Sequence, residues 1–272
     1  MSFKIGFTAE TENEEKRNIE NTPVQKDTLI VKKSVVEVFF PDRHLTCSYY
    51  NDMFNLKRGD IVYVEGKLEG MCGRVVKINY NFKIKLSDYK RVIGVADTDV
   101  IGEFHLAGSH FVTIDEGALK YEQVATWFKA PESEDEEYVS SSSDETFDLA
   151  DLNGMKIDNA TADRGHDYYI ENRVVYIEIK DHKARAIVNG TKPYEVEFNY
   201  HNGEVSGLVC NCYCTGACEH EFATMLQLKE TLKVIDEEYG DDFDLDYLAI
   251  ISKSVFFEYV IDNKTNGSFK LG

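Results

Sequence analysis

No stretch of about 18 or more consecutive apolar residues occurs in the sequence, so nothing in it reads as a transmembrane helix. The opening MSFKIGFTAETENEEKRNIE carries acids where a secretory signal needs an uninterrupted apolar segment, and a cytoplasmic location is expected. The pattern Gly-x-x-x-x-Gly-Lys-Ser/Thr is absent, which excludes a nucleotide-driven motor built on that phosphate loop. Basic residues are outnumbered, 30 Lys and Arg against 49 Asp and Glu, for a net charge of −19. Cysteine is scarce, six in 272 residues, yet four of the six fall between 210 and 218. In a reducing cytosol such a cluster points to metal ligation or redox chemistry rather than to structural disulfides. Cys47 and Cys72 stand alone in apolar strand-like runs and read as small core residues.

The acidity is local. Residues 131–151 hold nine acids and 236–246 hold seven, with no base in either, so these sixteen account for most of the excess and the remainder carries −3. The first stretch, PESEDEEYVSSSSDETFD, repels itself and offers little to bury, a linker composition that places a domain boundary at 131–151. Ahead of it, 1–27 is a polar extension. Residues 28–130 contain TLIVKKSVVEVFF, HLTCSYY, DIVYVEGKL and GRVVKINYNFKIKL, strands rich in β-branched and aromatic residues with Gly and Pro turns between them. That texture predicts a β-rich, barrel-like domain with a helix near Tyr121 to Phe128 at its end. Behind the linker, 152–272 is the second domain, and the whole reads as an α+β protein.

In that second domain, Arg173 to Ile179, Lys183 to Val188, Tyr194 to Phe198 and Glu204 to Val209 read as four strands, with Asn202-Gly203 as a type I′ hairpin turn. The run CEHEFATMLQLKETLKVI has Phe222, Met225, Leu226 and Leu232 at helical spacing. VCNCYCTGACEH, residues 209–220, therefore joins a strand end to a helix start. Cys218 and His220 form one candidate ligand pair at the first helical turn, where N–H groups and the helix dipole favour thiolate. The upstream pair is either Cys210 with Cys212, separated from Cys218 by the five residues 213–217, or Cys212 with Cys214, separated by three. Four protein ligands around zinc make a closed, structural site. A thiol redox centre is disfavoured because the pairs are Cys-x-Cys rather than Cys-x-x-Cys. A Cys–His nucleophile is disfavoured because residues two apart on a helix point apart.

Cys-x-Cys, a short loop, then Cys-x-His opening a helix resembles the SWIM zinc finger. The flanks agree: Arg164-Gly165 followed by Tyr168-Tyr169, two strands, a Gly-containing turn, and Pro193-Tyr194-Glu195-Val196. The resemblance covers roughly 160–235 and implies that Cys210, Cys212, Cys218 and His220 hold zinc. It also implies a small antiparallel sheet and helix, with DNA or a protein as partner. LKRGDIVYVEGKLEGMCGRVVKI, residues 56–78, is similar to a KOW or SH3-like barrel segment.

Residues 32–91 carry twelve Lys or Arg against seven acids. Tyr80, Phe82 and Tyr89 interleave there with Lys83, Lys85, Lys90 and Arg91, so RNA is a possible partner of the barrel through phosphate contacts and stacking. The competing reading is an amphipathic strand with lysines outward and rings inward. LAIISKSVFFEYV predicts a helical tail from the spacing of Ile251, Val255, Phe256 and Tyr259, with a short strand after Asn266-Gly267. Residues that would support catalysis are not grouped in the sequence, although His105, His110 and His166 could converge in the fold. No small-molecule substrate is suggested. The expectation is a non-enzymatic, zinc-stapled adaptor.

Overall fold

The computed structural model describes residues 31–130, 139, 141–142, 145–240, 246–262 and 269–272. The polar extension expected at 1–27 and most of the acidic stretch at 131–144 lie outside them. Alternation of apolar and polar residues builds a first sheet from β1 (Ser34–Phe40), β2 (Leu45–Asn51), β3 (Ile61–Val64), β4 (Gly73–Asn79) and β5 (Val92–Val95). In β1 every second residue is buried, as one wet and one dry face require. The strand order is β2-β1-β4-β3-β5. The Tyr50 N–H donates to the Lys90 carbonyl at 2.9 Å beside a parallel bridge between Tyr50 and Arg91, so the two edges of the sheet meet. Val36, Val38, Phe40, Val62, Val64 and Val75 fill the interior. Barrel-like closure is thus present, over 34–95 rather than over 28–130.

The remaining strands form one nine-stranded sheet. They are β6 (Gly102–Ala107), β7 (His110–Thr113), β8 (Thr146–Asp148), β9 (Val174–Lys180), β10 (Lys183–Asn189), β11 (Pro193–His201), β12 (Glu204–Cys210), β13 (Tyr247–Ser252) and β14 (Phe269–Leu271). Their order is β14-β6-β7-β13-β9-β10-β11-β12-β8. The four strands expected between 173 and 209 are β9 to β12, within one or two residues, except that β11 runs on to His201. The turn between β11 and β12 has φ of 48° at Asn202 and 89° at Gly203, both left-handed as a type I′ turn demands.

Helices cover both faces of this sheet. Along β13 the side chains alternate: Ala249 and Ile251 join a core with Phe104, Trp127 and Phe256, while Leu248 and Ile250 join one with Met225 and Leu228. The first core lies under α1 (Tyr121–Phe128) and the short α4 (Lys253–Phe256). The second lies under α3 (Glu219–Glu238), against which α2 (Asn159–Ile170) is packed. The molecule is mixed and sheet-rich, in keeping with the α+β expectation. Among the described residues no helix is long and apolar enough to cross a membrane.

Three expectations about organisation differ from what is observed. β6, β7 and α1 belong to the larger sheet, pairing through β13, so the division between sheets falls at 96–101 and the composition break at 131–151 lies within one layer system. Part of the expected linker is itself structured, since Phe147 pairs with Val205 in an edge strand and Leu149 is buried. Charge composition reports where chain is solvated, and a sheet can receive strands from both sides of such a segment. Third, Tyr247 to Ser252 is a central strand and not a helix, and helix continues only through α4 and a π-type turn at Phe257–Ile261. A strand covered on both faces is apolar throughout, so its periodicity cannot distinguish it from a buried helix. Helix α2 was not expected from the sequence. NATADRGHDYYI has no apolar stripe, and its one signal is the cap at Asp158, whose carboxylate accepts the Thr161 N–H at 3.0 Å.

The Phe256 ring packs 4.9 Å from Phe104, 5.1 Å from Phe269 and 5.3 Å from Phe111, centroid to centroid, and is fully buried. Phe256→Ala should lower unfolding free energy by about 3–5 kcal/mol in urea titrations. A change under about 1 kcal/mol would mean that the C-terminal segment is not core.

Candidate metal centre

β12 and α3 bring the predicted ligands together. Cys210 ends β12 opposite Val196 of β11, and the next residue locks the strand end. Asn211 N–H donates to the Glu195 carbonyl at 3.0 Å while its side-chain oxygen accepts the Glu195 N–H at 2.9 Å. The chain then turns through 211–217 and enters α3 at Cys218, the N-cap residue, in extended conformation. Cys218 N–H donates to Glu221 Oε2 at 2.8 Å, the reach-back half of a capping box. The strand end and the helix cap thus present their side chains into one space.

There, one donor atom each from Cys210, Cys212, Cys218 and His220 lies within 4.8 Å of every other. His220 Nδ1 is 3.7 Å from Cys218 Sγ and 3.9 Å from Cys210 Sγ. A tetrahedron with metal–sulfur bonds of about 2.3 Å and a metal–nitrogen bond of about 2.0–2.1 Å has edges of about 3.5–3.8 Å, so the spacing suits a single tetrahedral ion. This is the ligand set expected from the sequence. Cys214 is exposed and outside the group, so the choice left open between Cys210 and Cys214 falls to Cys210. Among the described residues this is the one cluster of three or more His, Cys, Asp or Glu able to hold a metal.

The flanking residues that carry the resemblance pack around His220. The Tyr194 ring lies over the imidazole with centroids 4.1 Å apart, and Tyr168 meets it edge-on at 5.3 Å. Gly190 leaves room for this arrangement, since a Cβ there would lie 2.7 Å from Tyr194 Cε2 and 3.3 Å from the Tyr168 hydroxyl. Gly165 lets α2 approach the first turn of α3, where a Cβ would lie 2.9 Å from Phe222 Cβ and 3.0 Å from the Glu219 carbonyl. Tyr169 donates to Glu230 further along α3 at 2.6 Å. Arg173 stacks on Tyr168, its guanidinium 4.5 Å from the ring centroid. Each of these contacts fixes either the imidazole or the helix that carries it, which is the usual task of groups just outside a metal's ligands.

No protein-family model, curated protein or solved structure matches this chain. The site therefore has to be read from its own chemistry. Burial pushes the Cys212 thiol up to about 12, and the neighbouring Cys210 together with burial drives Cys218 higher still. Burial holds the His220 imidazole below its ordinary value, hence neutral and able to coordinate. His220 Nε2 is buried and has no hydrogen-bond partner, and with its hydrogen there Nδ1 is left with a free lone pair toward the sulfurs. Three thiols and a neutral imidazole converging in a half-dry space are a donor set for a soft or borderline cation.

The other singled-out residues do not converge. His105 meets the Tyr239 ring, His166 the Tyr169 ring, and His110 is buried with Nε2 2.7 Å from the Val174 carbonyl. Cys47 and Cys72 are half-buried, Cys47 against the interior of the first sheet and Cys72 against the core shared by Trp127 and Phe256, in keeping with the core reading. In 80–91, Phe82 and Tyr89 are half-buried while Lys83, Lys85 and Lys90 are exposed, and Phe82 packs edge-on against Tyr50. The outlier is Tyr80, whose exposed ring sits under the Lys32 ammonium at 4.3 Å. Sequence reasoning did not single out Tyr213, 93% exposed at the tip of the cysteine loop, and nothing in a lone aromatic between two cysteines signals exposure.

Two outcomes follow for metal content by elemental analysis. Cys214→Ser should keep the full complement, whereas Cys210→Ser should lose it. Metal uptake must displace the thiol protons of Cys212 and Cys218 at neutral pH, so affinity should rise with pH and calorimetry in buffers of different ionisation enthalpy should register at least those two protons. Gly165→Ala should destabilise the protein by about 1–3 kcal/mol through overpacking, although alanine is the better helix former.

Proposed function

We propose that this chain is a non-enzymatic adaptor in which zinc, held by Cys210, Cys212, Cys218 and His220, is purely structural and the SWIM-like finger docks a macromolecular partner. The observation that carries this reading is that four protein donors converge on one point. With all four tetrahedral positions filled from the chain, no position remains for a metal-activated water, which catalytic zinc requires. Zinc fits three thiolates and one imidazole better than harder divalent ions do.

Between DNA and a protein, the surroundings of the finger favour a protein. Three of the cations near it are already matched with carboxylates, Arg164 with Glu219 at 3.5 Å, Arg173 with Glu171 at 2.5 Å and Lys129 with Glu195 at 2.6 Å, while Lys192 faces the Tyr194 and Tyr213 rings. Phosphate binding rests on cations available to release counterions, and these pairs would first have to be broken. Tyr213 at the loop tip, with the Lys192 ammonium 5.6 Å from its ring centroid, is an exposed aromatic of the type enriched among the anchors of protein interfaces. RNA binding by the barrel has less support: 80–91 is a loop with one 3-10 turn at Leu86–Asp88 and not the expected amphipathic strand, and of its three rings Phe82 and Tyr89 are half-buried, which leaves Tyr80 alone as an exposed stacking surface.

The reading predicts one zinc per chain, with chelation unfolding the region around 160–235 as followed by hydrogen exchange. Labelled duplex DNA and single-stranded RNA should show no saturable anisotropy change even at low salt. Saturable binding that weakens steeply with added salt would move the reading to nucleic acid. A chain that folds identically with and without chelator would remove the structural role of zinc.

A further inference from the structure

Two more imidazoles meet at the opposite end of β11. His182 lies in the turn between β9 and β10, and His201 is the last residue of β11. The Tyr200 N–H donates to the His182 carbonyl at 2.8 Å, which holds the turn beside the strand end. The two Nδ1 atoms are 3.3 Å apart, with ring centroids 4.4 Å apart and planes at 84°. His201 lies five positions along β11 from Val196, the partner of Cys210, so the pair sits about 16 Å from the cysteine site and shares no residue with it.

Turn chemistry does not account for the pair. Asp181 and His182 both adopt left-handed φ, 50° and 67°, and Asp181 suits the first turn position, but His182 stands where glycine is the ordinary choice, and the turn places no demand on His201 at all. Nor is the pair a comfortable hydrogen bond, since it requires one ring to donate from Nδ1 and the other to accept there, and it fails whenever both carry a proton or neither does. A metal resolves this. Two nitrogens bound to one ion at about 2.0–2.1 Å with a tetrahedral angle stand about 3.3–3.4 Å apart, the separation observed. Asn202 completes the arrangement: its side-chain nitrogen lies 3.1 Å from His201 Nε2, and rotating the amide by half a turn presents its oxygen to accept an Nε2–H, fixing the tautomer that frees Nδ1.

We propose that His182 and His201 form a second metal site, open to solvent, that takes a borderline divalent ion such as nickel, copper or zinc through both Nδ1 atoms. Imidazole suits these ions, and magnesium and calcium prefer oxygen. Both histidines are exposed, and no third protein donor of the described residues joins them, so water completes the coordination. In contrast to the four-donor site, this one exchanges its ion with solvent and leaves positions that a ligand from another molecule can fill.

Calorimetric titration of the full chain with nickel alone, after its metal content as purified has been measured, tests the site. One further equivalent should bind, and His201→Gln and His182→Asn should each weaken it by about tenfold or more while the original metal content stays unchanged. Asparagine at 182 tolerates the left-handed turn, so that variant keeps the hairpin. Absence of a further equivalent at about millimolar free nickel, or an equivalent that both variants retain at unchanged affinity, would overturn the proposal.

Discussion

The meeting of a strand end with a helix start governs the second half of this molecule. Cys210 closes β12 and Cys218 caps α3, with a loop of seven residues, 211–217, to reverse the chain between them. So short a loop contributes little packing of its own. Polar contacts fix the junction itself, the Asn211 clamp on β11 and the Glu221 reach-back to Cys218, and there the four donor atoms converge. Each contact is modest alone, but they share one geometry, so a shift of either element would break all of them together. The apolar underside of α3, with Met225 and Leu228, packs on the sheet and seats the rest of the helix.

The packing around His220 gives physical meaning to residues that are otherwise only a pattern. Gly165 and Gly190 are small because a helix and a tyrosine ring pass within contact distance of them. Tyr168 and Tyr194 grip the imidazole from an edge and a face. A motif of this kind is a description of one cavity from several points along the chain. That explains why the grouping of Cys210, Cys212, Cys218 and His220, with Cys214 left outside, is legible from the sequence.

Legibility elsewhere followed from how local the signal is. Strand β11 alternates cleanly, β10 ends at Asn189-Gly190 and β12 starts after Asn202-Gly203, so their limits are legible to within a residue or two except at the C-terminal end of β11, while β9, buried on both faces, is marked by its β-branched residues. Strand β13 is buried on both faces, so Tyr247 to Ser252 carry no period of their own, and the helical spacing that starts at Ile251 begins inside the strand. The pairing of β7 with β13 joins residues some 140 positions apart, and no local pattern announces it. Helix α2 escaped because its stability comes from Gly165 against α3 and not from an apolar stripe of its own. The meeting of His182 with His201 is of the same kind, a product of two turns brought side by side.

Strand β13 also sets an order of events. It lies between β7 and β9, so the larger sheet has a gap at its centre until residues 247–252 arrive. During synthesis the chain passes through a stage in which β6–β7 and β9–β12 can each form, and each then presents an unpaired, apolar inner edge to the solvent. The polypeptide therefore carries its own late-arriving keystone, and any event that cuts translation short before residue 247 releases a product with two sticky edges, a natural substrate for chaperones and proteases.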